Sequence, residues 1–521
     1  MRRAGPGGRS GFTRLGFGMK SVNDTIGLRL NGRVWVWVTF PLILVVLSVF
    51  ALTMLDLSVL LERITEYLPL LMFVTLAVLL FSGYPVAFVL GGVAMLYGVI
   101  GIVLGVFAPI GFFNFVPRIW GQAAENLVLV AVPTFVYMGV MMERSGIAND
   151  LLYAVQVLLK RVSGSLALAV TVMGTILAAM TGIIGASVTM MTALALPTML
   201  RQGYSHALAT GCIAASGTLG ILIPPSIMLI IMADLLSIPV GSLFMAALGP
   251  GLLLAAMYLT YIATAAAIKP EIAPPLPPEM LNVPMREMPV LVFKSFLPPA
   301  LLLALVKCSI LFGWATPSEA GAVGAFGATS LALIYGRLSW KTLKGVNYTA
   351  AHTIGMIFFI VMAATCFAYV FRALGGDDVV SGLITAAGFD SWGLLILILA
   401  IVFVLGFFLD WIEITLIILP IFAPLIAGFD FGDHVPMVGL QGNEVTFWFT
   451  VLIAVNLQTS FLTPPFGFAL FYMKGVAPPE VNITSIYRGI IPFVLLQLVA
   501  LVAVVIFPQI ALWLPGAVYG G

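Results

Sequence analysis

Two stretches of the chain place consecutive prolines inside an apolar run, SGTLGILIPPS at 216–226 and NLQTSFLTPPFG at 456–467. Proline brings no N–H to a helix, its ring clashes with the preceding turn, and it drives the residue before it out of helical geometry. A helix should therefore open at each pair. An opened helix offers bare carbonyl oxygens on one side and a fresh set of unsatisfied N–H groups on the other, so one break can hold a cation and also face an anion. The competing reading of a single break is a proline kink packed against a neighbour. Two matching breaks, each rich in Ser, Thr, Asn or Gly, favour a site.

Asp410 and Glu413, in the sequence LDWIE, are the acidic residues set deepest in apolar surroundings. Their spacing puts both on one face if a helix has begun there. A carboxylate buried without a partner costs several kcal/mol or more, so such a pair marks an ion path; a tip that simply reaches water is the bland alternative. Ser187 and Thr189 hold the matching place earlier in the chain, where hydroxyls suit either a cation or ordinary packing between helices. Both sets sit between two apolar arms: Ser165 to Gly182 and Val188 to Leu200 around GASV, then Leu394 to Phe408 and Ile412 to Leu425 around LDWIE. These read as re-entrant hairpins, with ordinary paired spans as the alternative.

The elements that must position these groups are membrane helices. Of 521 residues, 61% are hydrophobic and 8% charged, and the mean hydropathy is +1.15, so lipid replaces water as the main solvent. Apolar stretches such as Val34 to Leu55, Leu70 to Leu90 and Ile490 to Trp513 reach the roughly 20 residues that cross a bilayer as helix. Arg2, Arg3, Arg9, Arg14, Lys20, Arg29 and Arg33 precede the first of them and place the N-terminus in the cytoplasm, with the span an uncleaved anchor. Residues 268–289, rich in proline and carrying Lys269 and Arg286, read as a cytoplasmic linker between two halves.

The halves repeat. At an offset of 240, Ile213, Ala214, Leu222, Pro224, Pro225, Pro239 and Gly249 match Ile453, Ala454, Leu462, Pro464, Pro465, Pro479 and Gly489. Upstream the offset changes, with Pro197 opposite Pro420, and residues 429–447 take up the difference as an inserted loop. Its Asp430, Asp433 and Glu444 suit an external face, whereas Arg201 suits the cytoplasm. Opposite orientations make this an inverted repeat, the plan of many secondary transporters. The expected organisation is a basic N-terminus and anchor over 1–65, a first repeat over 66–267, the linker, and a second repeat over 290–521.

Other chemistry is poorly represented. His206, His352 and His434 stand singly, without ligand spacing, and Cys212, Cys308 and Cys366 lie in apolar runs, so neither a metal centre nor a disulfide is expected. No GxxxxGK[ST] or HExxH occurs, and no basic stripe suits nucleic acid.

GYPVAFVLGG at 83–92, GIIGASVTMMTALALPTML at 182–200, the first Pro-Pro segment with its continuation to residue 255, and NLQTSFLTPPFGFALFYMKGVAP resemble the large membrane subunit of tripartite ATP-independent periplasmic (TRAP) transporters, over about residues 66–515. The resemblance implies an all-α polytopic protein of ion-transporter-superfamily type, two re-entrant hairpins and two broken helices, in a bacterial or archaeal inner membrane. It implies sodium-coupled, elevator-type import of carboxylates, no enzyme activity, and no cofactor beyond sodium. One sodium ion would lie among Gly185, Ser187, Thr189, Ser216, Thr218 and Gly220, and a second among Asp410, Asn456, Thr459 and Thr463. Pro224, Pro225, Ser226, Glu413, Pro464 and Pro465 would face the substrate. The implied partners are a separate small four-helix membrane subunit and a periplasmic solute-binding protein. A stand-alone sodium/dicarboxylate symporter and a membrane-anchoring subunit of an oxidoreductase are the rivals; the second should show paired histidines on facing spans.

Overall fold

A computed structural model of the chain describes residues 57–159, 162–181, 184–275, 288–428, 430–464 and 467–520. The expected anchor at Val34 to Leu55, the middle of the linker and Pro465 lie outside the described residues. Among those residues all regular structure is helical, and seven helices are long and apolar enough to cross a membrane. The chain from Thr65 onward forms one compact unit.

Each half contains a helical hairpin followed by a broken helix. The first hairpin has arms Ser165–Thr181 and Ile184–Arg201, and the second has arms Ser391–Leu405 and Trp411–Ala427. The broken helices run His206–Thr218 then Ile227–Leu235, and Glu444–Leu462 then Phe468–Val476. Both breaks fall at the proline pairs, as loss of a donor and the pre-proline restriction require.

The packing exchanges partners between the halves. Ile227–Leu235 of the first half lies on the Trp411–Ala427 arm of the second, and Phe468–Val476 lies on Ile184–Arg201 in return. Outside this centre Val86–Val103 packs on Trp340–Ala373, while its counterpart Pro317–Ile334 packs on Ala131–Arg144. Likewise Val240–Ile268 meets Glu444–Leu462, and Ile483–Ile506 meets His206–Thr218. Such reciprocal contacts are those of a two-fold related repeat. Thr218 and Gln458, equivalent at the offset of 240, even hydrogen-bond each other, Gln458 Nε2 donating to Thr218 Oγ1 at 3.3 Å.

Several boundaries differ from the sequence expectation. The stretch Leu70 to Leu90 is two helices, because Gly83 at φ 82° and Pro85 turn the chain between Leu57–Phe81 and Val86–Val103. The stretch Ile490 to Trp513 is likewise divided at Pro508, between Ile483–Ile506 and Gln509–Tyr519. Glu444 is not a loop residue: it opens a helix, is buried, and accepts the Leu440 N–H at 2.8 Å. The loop before it is pinned by His434, whose Nε2 must be the donor in its 2.7 Å bond to the Val505 carbonyl. The same ring packs on Trp392 and Trp448, which gives His434 a structural role.

Close helix approaches depend on glycine. A Cβ on Gly211 would collide with the Gly489 carbonyl oxygen, one on Gly489 with that of Ala207, and one on Gly249, its repeat mate, with that of Ile510. Without a hydrophobic drive between helices in lipid, such backbone-close fits supply much of the association. Gly211→Ala and Gly489→Ala should each lower the thermal midpoint of the detergent-purified protein, overpacking of this kind costing about 1–3 kcal/mol. Gly92→Ala, where an added Cβ meets nothing within 4 Å, should leave the midpoint unchanged.

Candidate functional site

The first tip meets the first break directly. The second arm is already helical from Ile184, so Gly185, Ser187 and Thr189 lie in its opening turns and not on an unwound tip. The Thr189 hydroxyl donates to the Gly185 carbonyl at 2.7 Å, an ordinary helical back-bond. A Cβ on Gly217 would stand 2.6 Å from Val188 Cγ2, so the glycine lets the broken helix lie against this arm. Ser216 and Thr218 donate to the carbonyls of Cys212 and Ala215. Leu219–Ile221, including Gly220, tightens into a 3₁₀ turn. Pro224 and Pro225 follow, joined by a cis peptide bond, and Ser226 donates to the Ile221 carbonyl at 2.7 Å before helix resumes at Ile227. The whole stretch 216–226 is buried.

The second tip is built differently. Residues 406–410 are non-helical, and Gly406 sits so close to Ser460 that an added Cβ would collide with its hydroxyl. Asp410 stands immediately before the helix Trp411–Ala427. Its Oδ1 accepts the Trp411 N–H at 2.8 Å, and Glu413 Oε2 reaches back to accept the Asp410 N–H at 2.6 Å. Both carboxylates thus accept N–H groups at the start of the arm, where the helix dipole favours negative charge. On the broken helix that follows, Asn456 donates to the Leu399 carbonyl at 2.7 Å. Thr459 and Thr463 donate to Val455 and Thr459 carbonyls at 3.1 and 2.8 Å, with Pro464 in the turn that follows.

Hydroxyls that donate to helix carbonyls keep oxygen lone pairs outward, the hard neutral donors a small cation takes. Charge adds to this. Glu413 is 6% exposed, yet the ion pairs among the described residues, Arg337–Asp150 and Arg372–Asp377, lie elsewhere. No group of three or more His, Cys, Asp or Glu able to hold a metal ion occurs among the described residues. The residues of each expected set lie on a hairpin arm and a broken helix that pack against each other.

Two residues were missed. Gln458 is fully buried and its Oε1 has no hydrogen-bond partner; the repeat could have flagged it as the mate of Thr218. Tyr472, in the helix after the second break, covers Gly185 of the first tip, and only tertiary packing reveals it.

The hydrogen bond and the charge of Glu413 can be separated. Glu413→Gln keeps an oxygen for the Asp410 N–H and removes the charge, so stability should stay within about 1 kcal/mol of the parent. Glu413→Ala removes the acceptor and should lower the thermal midpoint of the detergent-purified protein.

The arrangement agrees with what the chain is similar to. Residues 73–510 match the family described as tripartite ATP-independent periplasmic transporter, DctM component. The C4-dicarboxylate TRAP transporter large permease protein DctM of Pseudomonas aeruginosa is 29% identical over 395 residues, 76% of this chain and 87% of that protein. The sialic acid TRAP transporter large permease protein SiaM of Vibrio cholerae is 27% identical, over 84% of this chain and 96% of its own length. The ectoine/5-hydroxyectoine TRAP transporter large permease protein UehC of Ruegeria pomeroyi is 27% identical, over 85% and 97%. The crystal structure of the Alcanivorax borkumensis YdaH transporter shares the fold, with a TM-score of 0.54 at 15% identity over 78% of this chain and 89% of that one. The inverted repeat, its paired hairpins and breaks, and a family match across most of its length show that this chain belongs to the DctM family of TRAP transporter large permeases, multi-pass proteins of the inner membrane.

Proposed function

We propose that this chain is the sodium-coupled permease of a three-part importer of organic acids. The observation that carries the reading is the Asp410–Glu413 pair: two carboxylates at a tip packed against an opened helix, with no Lys or Arg among the described residues ion-paired to them. Buried carboxylates at membrane depth need a counter-charge, and a cation drawn from outside supplies one. Sodium at the two tips then neutralises the site and orders the breaks, whose fresh N-termini favour an anion. The names of the relatives include C4-dicarboxylate, sialic acid and 2,3-diketo-L-gulonate, which supports a carboxylate as the substrate class.

The hairpins and broken helices move as one body against a scaffold that includes Val86–Val103, Ala131–Arg144, Pro317–Ile334 and Trp340–Ala373, carrying the site across the membrane. A small four-helix membrane subunit covers part of the scaffold, and a periplasmic binding protein delivers the substrate. Support for the first partner comes from the spans at Ile64–Phe81 and Val292–Leu311, only 22% buried within the chain. Such faces suit packing by close fit with another membrane helix.

Vesicles reconstituted with this chain and its two partners should accumulate a carboxylate under an inward sodium gradient, and the chain alone should do so poorly. Equal uptake by the chain alone would instead identify a stand-alone symporter. Asp410→Ala should abolish uptake or weaken its sodium dependence while leaving insertion intact, and an unchanged sodium response would remove Asp410 from the site.

A further inference from the structure

At the offset of 240, Asp234 stands in the first half where the second has Lys474. Each lies in the last turn of the helix that follows its break, Ile227–Leu235 and Phe468–Val476. A helix C-terminus favours a cation and disfavours an anion. Lys474 suits that place and bonds locally, its Nζ donating to the Val481 carbonyl at 2.7 Å, seven residues on. Asp234 sits at the unfavourable end of its helix, and its compensation comes from far along the chain. Asn126 Nδ2 donates to Asp234 Oδ2 at 2.7 Å, with Gln122 Nε2 at 3.5 Å from the same oxygen.

Asn126 is set for this contact. Its Oδ1 accepts the Val128 N–H at 3.0 Å and the Leu129 N–H at 3.3 Å, a turn closed by the side chain, so the amide presents its nitrogen to Asp234. Asn126 stands just before Ala131–Arg144, and the preceding Phe115–Ile119 and Trp120–Ala124 pack on Trp340–Ala373. Both of these longer helices belong to the proposed scaffold, whereas Asp234 belongs to the body that moves against it. The Asn126–Asp234 bond therefore crosses the boundary between the two.

We propose that Asp234 is a positioning residue that latches the mobile body to the scaffold through Asn126 at one end of the transport movement. The inference rests on the moving-body reading and adds to it a contact that must open. A body that carries the site across the membrane cannot keep a side-chain hydrogen bond to a fixed loop, so the bond forms in one end state and breaks on the way to the other. On the scale of hydrogen bonds to charged acceptors, the latch favours its end state roughly tenfold. Both side chains are half-buried, which lets water replace the lost partner once the body has left.

Two measurements test the latch. In a Cys212→Ala, Cys308→Ala, Cys366→Ala background, Asn126→Cys and Asp234→Cys are joined by a short bis-maleimide in vesicles containing the chain and its two partners. The bridged protein should lose most of the uptake it showed before bridging, while each single-cysteine variant treated alike keeps its own. Failure to bridge, or uptake unchanged by bridging, overturns the latch. A second bridge, Phe81→Cys with Phe408→Cys, joins Leu57–Phe81 to the second tip where the two rings lie 4.6 Å apart. Uptake lost with the 81–408 bridge but kept with the 126–234 bridge overturns the latch alone; uptake kept with both overturns the movement itself. The other measurement is thermal unfolding of the detergent-purified full chain. Asn126→Asp keeps an oxygen for Val128 and Leu129, removes the donor and sets a second carboxylate against Asp234, so the midpoint should fall. Adding Asp234→Asn rebuilds the donor and acceptor in reversed order and should recover most of that loss. A double variant no more stable than the two single effects predict overturns the pairing.

Discussion

An unpaired backbone N–H or C=O at membrane depth has no water to turn to, and lipid cannot satisfy it. A helix opened inside a bilayer is therefore stable only when protein surrounds the opening. The Pro-Pro breaks impose this condition twice, and the packing of the central helices answers it. His206–Thr218 is enclosed by both arms of the first hairpin and by Ile483–Ile506, and Glu444–Leu462 by both arms of the second hairpin and by Val240–Ile268. Burial of every residue from Ser216 to Ser226 follows from that enclosure.

Enclosure so tight requires small residues where backbones meet. Gly217 against Val188, Gly406 against Ser460 and Gly211 against Gly489 are places where a methyl group has no room. Each brings a tip, a break or a flanking helix within backbone distance of its neighbour, which is how carbonyls and hydroxyls from different elements converge on one volume. The glycines are thus part of the site's construction although they carry no chemistry of their own.

The fold was legible because its causes are local or repeated. Proline acts on its own turn, so both breaks could be read from single segments, and the repeated Pro-Pro with its shared spacing identified the second half as a copy of the first. Helix ends were less legible. The first tip was expected around Gly185 to Val188, but Ile184 already begins a helix, because Gly, Ala and Ser there accept helical geometry once packing supports it. Asp410 and Glu413 were found by their charge in an apolar run, while their mutual capping bonds needed coordinates. Tyr472 could not be read at all, since it lies far along the chain from Gly185 and its aromatic type is unremarkable in a membrane helix.

Symmetry explains the scaffold better than it explains the site. Thr218 faces its own mate, Gln458, so one position of the repeat supplies a hydroxyl and the other an amide whose oxygen is left without a partner. Ser187 of the first tip is answered by Asp410 in the second, and Met232 by Tyr472. Each exchange leaves the backbone plan intact and puts the stronger polar group in the second half. A duplicated fold presents two equivalent openings, but a transporter that couples a cation to a different solute needs the two to respond unequally. The inequality lies in side chains and in the backbone of the tips, since 406–410 are non-helical before Trp411 while Gly185, Ser187 and Thr189 are already helical. Negative charge at one tip and neutral hydroxyls at the other give the two openings different electrostatics on one shared helical plan.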